Sequence, residues 1–545
     1  MMKKILGVSV GSCVHVAGII SFLNIAAKLG YNTKYAGSAV SVENLDKAIN
    51  EFMPDIVGIS YRLTPESSAE LFNTINKKII SSGSKISFIL GTTSSVADFL
   101  EKKGLLGMFD KIFTGGEPED QIIQYLEGKK TGDRHSGKPP QNLLDRILYK
   151  KPYPLLRHHY GRPTLKETVE GIKVLSDSGF LDVISLGPDQ NTQEFFFHPE
   201  KMNRQQDGAG GVPIRSEDDL GQLYTASRTG NYPLMRCYSG TNDVLKFAEI
   251  LVKNINNAWC AIPLLWYNEI DNRSSRKLEV AIKENQEVMR WHGWRNIPLE
   301  VNESHHWSLR YSSDSIAVAA AYIAAYNAKK MGVKNYVAQY MFNTPAQISF
   351  TMDLAKMLAK VEMIESLHDD SFTSFRETRS GLYSMPADFN KGKGQLASST
   401  MLQMQLNPSI VHVVAYCESS YAAKPEDIIQ SCSIVQKVIQ NCVYGAPDMQ
   451  CDLHVNARKK NLIHDAELII KKIKSLDFEK KYGDPLTEPA ILAEAVRKGI
   501  LDAPHLAGVK GACGKLQTMF FDGACLAIDD CGNIISEEER LENTL

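Results

Sequence analysis

Along residues 3–127, short apolar runs alternate with segments of helical period. ILGVSVG (5–11) is an apolar, β-branched run ending in glycine, and residues 16–29 follow with helical spacing and stop before Gly30. The pattern next predicts a strand near 34–36, a helix at 43–52 and the strand DIVGISY at 55–61. A helix from Pro65 to Ile80, the strand ISFILG (86–91), a helix at 95–103, the strand KIFTGG (111–116) and a helix at 118–127 complete the series. Buried strands with intervening helices predict a parallel, doubly wound sheet of the flavodoxin-like, Rossmann-type class.

The pattern breaks at 128–163, where GKKTGDRHSGKPPQNLL and YKKPYPLLRHHYGRP are rich in Lys, Arg, Pro and Gly. This stretch reads as an extended linker with a short helix inside, its basic side chains either a solvated face or a guide for a phosphate-bearing ligand. From Thr164 the alternation resumes. A helix at 164–178 leads to LDVISLG (181–187), a helix at 243–256 to WCAIPLLW (259–266), and a helix at 315–331 to GVKNYVAQY (332–340); IVHVVAY (410–416) leads to a helix at 424–440. That length and alternation suit a (β/α)8 TIM barrel. The expected divisions are 1–128, a linker at 129–163, a barrel at 164–510, and a small glycine-containing subdomain at 511–545.

The 545 residues fit two or three domains, and 43% hydrophobic with 23% charged residues describes a soluble globular protein. A net charge of −2 gives no global field to draw nucleic acid or an anionic membrane. Ile5–Val10 is too short and too broken for a signal peptide, and no stretch approaches about 20 uninterrupted apolar residues. Ten scattered cysteines without a C-x-x-C pair argue against a zinc ribbon and for reduced thiols in a cytoplasmic protein.

In a flavodoxin-like sheet ligands bind beyond the carboxyl ends of the strands, where strand order reverses. GSCVHVAG (11–18) leaves the first strand, Ser60 ends the third, Gly91, Thr92 and Thr93 leave the fourth, and Gly115, Gly116 and Glu117 leave the fifth. These loops share one edge and can hold a large cofactor. Taken alone, His15 also reads as an ordinary polar loop residue. The segment resembles the cobalamin-binding subunit of glutamate mutase and its relatives over about 125 residues, with the signature D-x-H-x-x-G standing here as Cys13-Val14-His15-Val16-Ala17-Gly18. The resemblance implies a cobalamin site. In it His15 ligates cobalt from below in place of dimethylbenzimidazole, and Gly18, Ser60, Gly91, Thr92, Gly115 and Gly116 line the cofactor's tail. Imidazole is a good cobalt ligand. The family's Asp, which holds the distal histidine nitrogen, is Cys13 here, and a thiol orients the ring less well than a carboxylate. Weaker His15–cobalt ligation follows.

The second part resembles the catalytic barrel subunit of the same family, thinly from Arg162 to Asn533, through GTNDVLKFAEI (240–250), LLWYN (264–268), KKMGVKNYVAQY (329–340) and ILDAPHLAGVKGACGKL (500–516). The two parts, often separate chains, are fused here. The resemblance implies adenosylcobalamin, a radical carbon-skeleton rearrangement, and a barrel mouth sealed from solvent. Of the family's three carboxylate-binding arginines the first matches Arg162, the second falls at Gln193 and the third at Tyr238. Losing two bidentate clamps argues against glutamate as substrate. Arg236 lies two residues before Tyr238, on the same strand face but deeper. The tyrosine near the reacting carbon matches Tyr267. The amine-binding glutamate aligns near Ala261, and a second tyrosine aligns with Asp271. The ribose-contacting glutamate matches Glu418, and its lysine partner is Val414. Tyr267 and Trp266 also read as core aromatics, and Glu418 as a helix-start residue favoured by the dipole.

His305-His306-Trp307 ends a strand, but adjacent histidines on an extended chain point apart and make a poor metal pair. Gly208–Gly211 (GAGG) lacks a following Lys-Ser/Thr and reads as a flexible loop. These observations favour an adenosylcobalamin-dependent mutase on a substrate other than glutamate. It would be a small-molecule acid with one anionic group or a carrier-linked acid, turned over by a homodimer with neither nucleic acid nor membrane as partner. The alternatives are a corrinoid methyl carrier or methyltransferase, disfavoured by the absence of a helical cap before the first strand, and a non-catalytic cobalamin binder. An aminomutase would need a pyridoxal phosphate lysine that no motif supplies.

Overall fold

A computed structural model describes residues 3–80, 86–115, 119–126, 138–479 and 481–544. The chain divides into two compact units, Met1–Gly137 and Lys138–Leu545. In the first, strands β1 (Lys4–Ser9), β2 (Asn32–Tyr35), β3 (Ile56–Ser60), β4 (Ser87–Gly91) and β5 (Lys111–Phe113) form one parallel sheet in the order β2-β1-β3-β4-β5. The order reverses between β1 and β3, as in flavodoxin-like sheets. Alternation splits β1 between two cores: Leu6 and Val8 face one, and Ile5 faces the other with Ile19, Phe22 and Leu23 of the helix Ala17–Lys28. That helix seats directly on glycine. A Cβ on Gly7 would come within 2.6 Å of Leu23, and one on Gly58 within 2.8 Å of Ile19.

The second unit is a parallel sheet of eight strands: β6 (Leu155–Tyr160), β7 (Val183–Leu186), β8 (Leu234–Arg236), β9 (Cys260–Ile262), β10 (Leu299–Val301), β11 (Asn335–Phe342), β12 (Thr373–Ser380) and β13 (Ile410–His412). Each strand from β6 to β8 and from β9 to β13 pairs with its sequence neighbour, and β13 returns to β6. Between β8 and β9 the gap is crossed by backbone bonds Ala258 N–H to Met235 C=O (2.9 Å) and Ser239 N–H to Ala261 C=O (3.4 Å), so the barrel is nearly closed.

Two expectations change. Besides the short helix expected there, Leu143–Lys150, the stretch taken as linker holds the whole of β6, the first barrel strand. The long strand expected at 259–266 stops at Ile262, because the Glu303 carboxylate takes the N–H groups of Leu264 and Leu265, each at 2.9 Å, and pulls the chain out of the sheet. The tail forms an antiparallel hairpin, β14 (Gln517–Phe521) with β15 (Ala524–Ile528), that packs onto the second unit through Ser349 N–H to Gly523 C=O and Cys525 N–H to Asp314. Among the described residues no helix is long and apolar enough to cross a membrane.

Candidate functional site

In the first unit the loop leaving β1 is held from beneath. Ser9 Oγ donates to the Cys13 carbonyl (2.7 Å), the Ala39 N–H donates to the same oxygen (3.0 Å), and Ser60 Oγ donates to the His15 carbonyl (2.9 Å). Cys13 is buried and His15 exposed. Cys13 Sγ accepts the Arg62 N–H at 3.3 Å and lies 3.6 Å from His15 Nδ1. The thiol therefore fixes which nitrogen points inward and turns Nε2 away from it.

The other residues expected here divide by role. A Cβ on Gly18 would meet nothing within 4 Å, and one on Gly91 only the Ile59 carbonyl at 3.8 Å, so both present bare backbone at the sheet edge. Ser60 and Thr92 face inward; the Thr92 hydroxyl donates to the Tyr61 carbonyl at 2.7 Å. Gly115 sits at φ +91°, where its absent side chain makes room for the Arg62 guanidinium. Gly116 and Glu117 lie outside the described residues. Arg62, which the sequence reading passed over, links the loops after β1, β3 and β5; the only signal was its place directly after the third strand. An exposed imidazole with one nitrogen turned outward, at the reversal point and between bare glycines, fits the lower face and tail of cobalamin.

In the second unit the barrel interior is layered. Its floor is apolar: Leu155, Val183, Leu234, Val337 and Ile410 pack with Trp259. Above it, alternate strands contribute Arg157, Arg236, Glu300 and Glu377, each at most 1% exposed. Arg236 Nη2 donates to Glu300 Oε2 at 2.6 Å, as does Trp259 Nε1 at 2.7 Å; Arg157 pairs with Glu377 and donates through Nε to Ser185 at 2.7 Å. Gln339 Nε2 bridges the two carboxylates at 2.8 and 3.3 Å. Burial raises both glutamates. For Glu300 the two arginines and Trp259 reverse that, whereas Glu377 stays raised.

Two residues further on, at or just past the ends of the same strands, alternation puts His159, Tyr238, Asn302 and Arg379 on the inward side. This layer lies toward the strands' carboxyl ends, where barrel enzymes work. His159 is held well below its ordinary pKa by burial and by Arg157, and its Nε2 accepts from Arg157 at 3.1 Å, so the ring is neutral. Burial pushes the Tyr238 phenol up.

The residues expected to bind substrate do not all converge on this layer. Tyr238 does. Arg162 donates to the Ala422 carbonyl at 3.0 Å, and Gln193 to the Pro188 carbonyl at 2.8 Å. Asp271 accepts from the N–H groups of Tyr267 and Asn268 at 3.1 and 3.0 Å and closes a turn. Tyr267 sits just past β9 at φ +64°, its ring 5.4 Å from that of His306 and under the Arg273 guanidinium at 4.6 Å. Glu418 Oε1 accepts from His158 Nε2 (2.8 Å) and the Ala415 N–H (2.7 Å); burial would raise its pKa, but His158 outweighs it. Ala261 and Val414 are buried and offer no polar group. His305 and His306 stack at 4.3 Å on a short helix, Ser304–Ser308, and no metal-binding group of three His, Cys, Asp or Glu occurs among the described residues. The GAGG segment packs tightly instead of forming a flexible loop: a Cβ on Gly211 would lie 1.9 Å from the Gly187 carbonyl, to which the Val212 N–H bonds at 2.8 Å.

No protein-family model and no curated protein sequence matches the chain. Among solved structures, a novel cobalamin-binding protein from Desulfitobacterium hafniense DCB-2 is 21% identical over 23% of this chain, at a TM-score of 0.20. The chain spans 58% of that protein's length. The cobalamin-dependent S-adenosylmethionine radical enzyme OxsB is 11% identical over 90% of this chain and 70% of its own, at a TM-score of 0.17. At those scores neither likeness carries an argument about function.

Proposed function

We propose that the chain is a cobalamin-dependent mutase that rearranges the carbon skeleton of an anionic substrate other than glutamate. The observation that carries this reading is the His15 loop, an exposed imidazole whose Nδ1 is turned to Cys13 at the strand-order reversal, leaving Nε2 to ligate a metal from outside. His15 would hold cobalt, and the bare backbone of Gly18 and Gly91 would let the nucleotide tail lie close. Adenosylcobalamin, when bound, supplies a carbon radical by homolysis of its cobalt–carbon bond. The barrel's own residues bind and shield. Tyr267 and Tyr238 are buried neutral phenols, and His159, His305 and His306 are held neutral by burial and nearby cations, so the mouth offers a substrate uncharged hydrogen-bonding groups. Glu418 is held by His158 at a strand end, where it can meet a ribose hydroxyl.

The test is electron paramagnetic resonance of the cobalt(II) state in protein carrying ¹⁵N-histidine. The expected result is hyperfine coupling to one histidine nitrogen that His15→Ala abolishes. Coupling that is absent, or unchanged in His15→Ala, removes the assignment. A second reading, a cobalamin binder without turnover, is favoured by the backbone contacts that occupy Arg162, Gln193 and Asp271. Substrate-dependent radical signals with adenosylcobalamin and a panel of acids separate the two.

A further inference from the structure

In the two polar layers of the barrel interior arginine outnumbers carboxylate three to two; a third carboxylate, Glu418 in the loop after β13, lies in the field of Arg379 and is held by His158 at 2.8 Å. Arg157, Arg236 and Arg379 face inward against Glu300 and Glu377, and Glu377 is pushed toward its neutral form. Arg157 and Arg236 are paired with the two carboxylates. Arg379, one step nearer the mouth, makes no ion pair among the described residues; its Nε donates to the Ser380 carbonyl at 3.3 Å. Its charge is felt in two loops at the carboxyl end of the barrel, where it adds to burial in depressing His305 after β10 and to His158 in lowering Glu418 after β13. Below it Arg236 is 1% exposed, and its Nε and Nη1 have no partner among the described residues. An arginine buried with two donor sites open is a strong sign of an anion that belongs there. The neighbours in the mouth layer are neutral hydrogen-bonding groups: Tyr238, Asn302 and His159.

We propose that Arg379 is the arginine that binds the substrate, that it holds a single carboxylate at the barrel mouth with Arg236 donating from below, and that Tyr238 and Asn302 bind a neutral polar group on the same molecule. The substrate is then a small monocarboxylic acid with a nearby hydroxyl, carbonyl or amide. This deepens the mutase reading and rests on it for the word substrate. The site itself rests only on the barrel. The claim differs from a clamp built on Arg162, which follows β6 and is tied to the Ala422 carbonyl. A second carboxylate has no free arginine in the layer, so dicarboxylates gain nothing.

The probe is ¹³C-carboxyl-labelled butyrate, titrated into the full chain without cobalamin and followed by carbon NMR and calorimetry, with succinate in parallel. Wild-type protein is expected to bind butyrate at least as tightly as succinate. Arg379→Gln should weaken butyrate by about ten-fold or more, and Arg379→Lys by less, because a lysine keeps the charge but loses the fork. Should Arg379→Gln unfold, Asn302→Asp provides the independent arm: nearly isosteric, it adds a carboxylate to the same layer of the mouth and should also weaken butyrate by about ten-fold. The proposal is overturned by wild-type protein that fails to bind butyrate. Unchanged binding in folded Arg379→Gln, or in Asn302→Asp, overturns it too, as does a loss that follows Arg162→Gln instead. Cobalamin uptake by the same protein, read from its visible spectrum, is scored separately. Butyrate binding through Arg379 without cobalamin uptake leaves this site and removes the mutase reading; uptake without butyrate binding does the reverse.

Discussion

Cys13 stands where a carboxylate would otherwise back the histidine, and its sulfur still reaches His15 Nδ1 at 3.6 Å. A carboxylate partner fixes a ligating imidazole and raises its basicity, commonly changing affinity by about 10–100-fold. Cys13→Asp should therefore tighten cobalamin binding by about ten-fold in a spectral titration; unchanged affinity would mean the thiol does not govern the ring. Lys360 makes a second residue-scale case. It is 2% exposed on the helix Phe350–Glu365, and burial, then Lys356, brings its ammonium down to about 7. Between that value and the 10.5 of a free lysine, the unfolded chain holds a proton that the folded chain does not. Folding stability thus rises with pH through this window and falls as pH drops toward 7. Lys360→Met should stabilise the protein by about 1–3 kcal/mol at pH 7, with the gain shrinking toward pH 10 in urea melts. At this scale the sequence shows His15 and Gly18 plainly, because a loop motif is local. It does not show that the polar atoms of Arg162 and Asp271 meet nearby backbone, since those bonds depend on how the loops fold back.

The central strands of the first unit, β1, β3 and β4, are legible because both faces are apolar, as in FILG of β4. β6 and β12 are not. LRHHY reads as part of a linker and TSFRETRS offers no apolar run, although β6 is buried almost throughout. Their inward positions carry Arg157, His159, Glu377 and Arg379, and a charged interior erases the apolar run by which a parallel strand is recognised. Arg379 stayed hidden for the same reason. Loops at the mouth carry a matching lesson in the GAGG segment, where Gly208 and Gly211 let backbone approach backbone. Gly211→Ala would press a methyl group into the Gly187 carbonyl and lift this loop from the end of β7. The expected cost is about 2–4 kcal/mol, seen as a lowered melting temperature, while Gly210→Ala, which meets nothing within 4 Å but sits at φ +78°, should cost only about 1 kcal/mol.

Over the whole molecule, two units with separate cores imply two unfolding transitions in calorimetry. A ligand stabilises the unit that binds it by RT ln(1 + [L]/Kd), about 2.7 kcal/mol at a hundred times Kd. Cobalamin should raise the transition of the first unit, and His15→Ala should cancel most of that rise. A single transition that cobalamin shifts as one would show the units unfolding together. The fold of each unit follows from alternation in the sequence, but the fourfold ring in the barrel does not, because its members lie far apart along the chain. That ring bears on how such a barrel is inherited. An aliphatic layer tolerates drift one methyl group at a time. Here, changing Arg236 takes from Glu300 its nearest cation, changing Glu300 strands Arg236, and removing either partner of a buried pair costs about 3–5 kcal/mol. Arg236→Met with Glu300→Leu should therefore cost less than the sum of the two single changes. Descendants of this chain can change the mouth one residue at a time as the substrate changes, while the four residues beneath it must travel through evolution together or not at all.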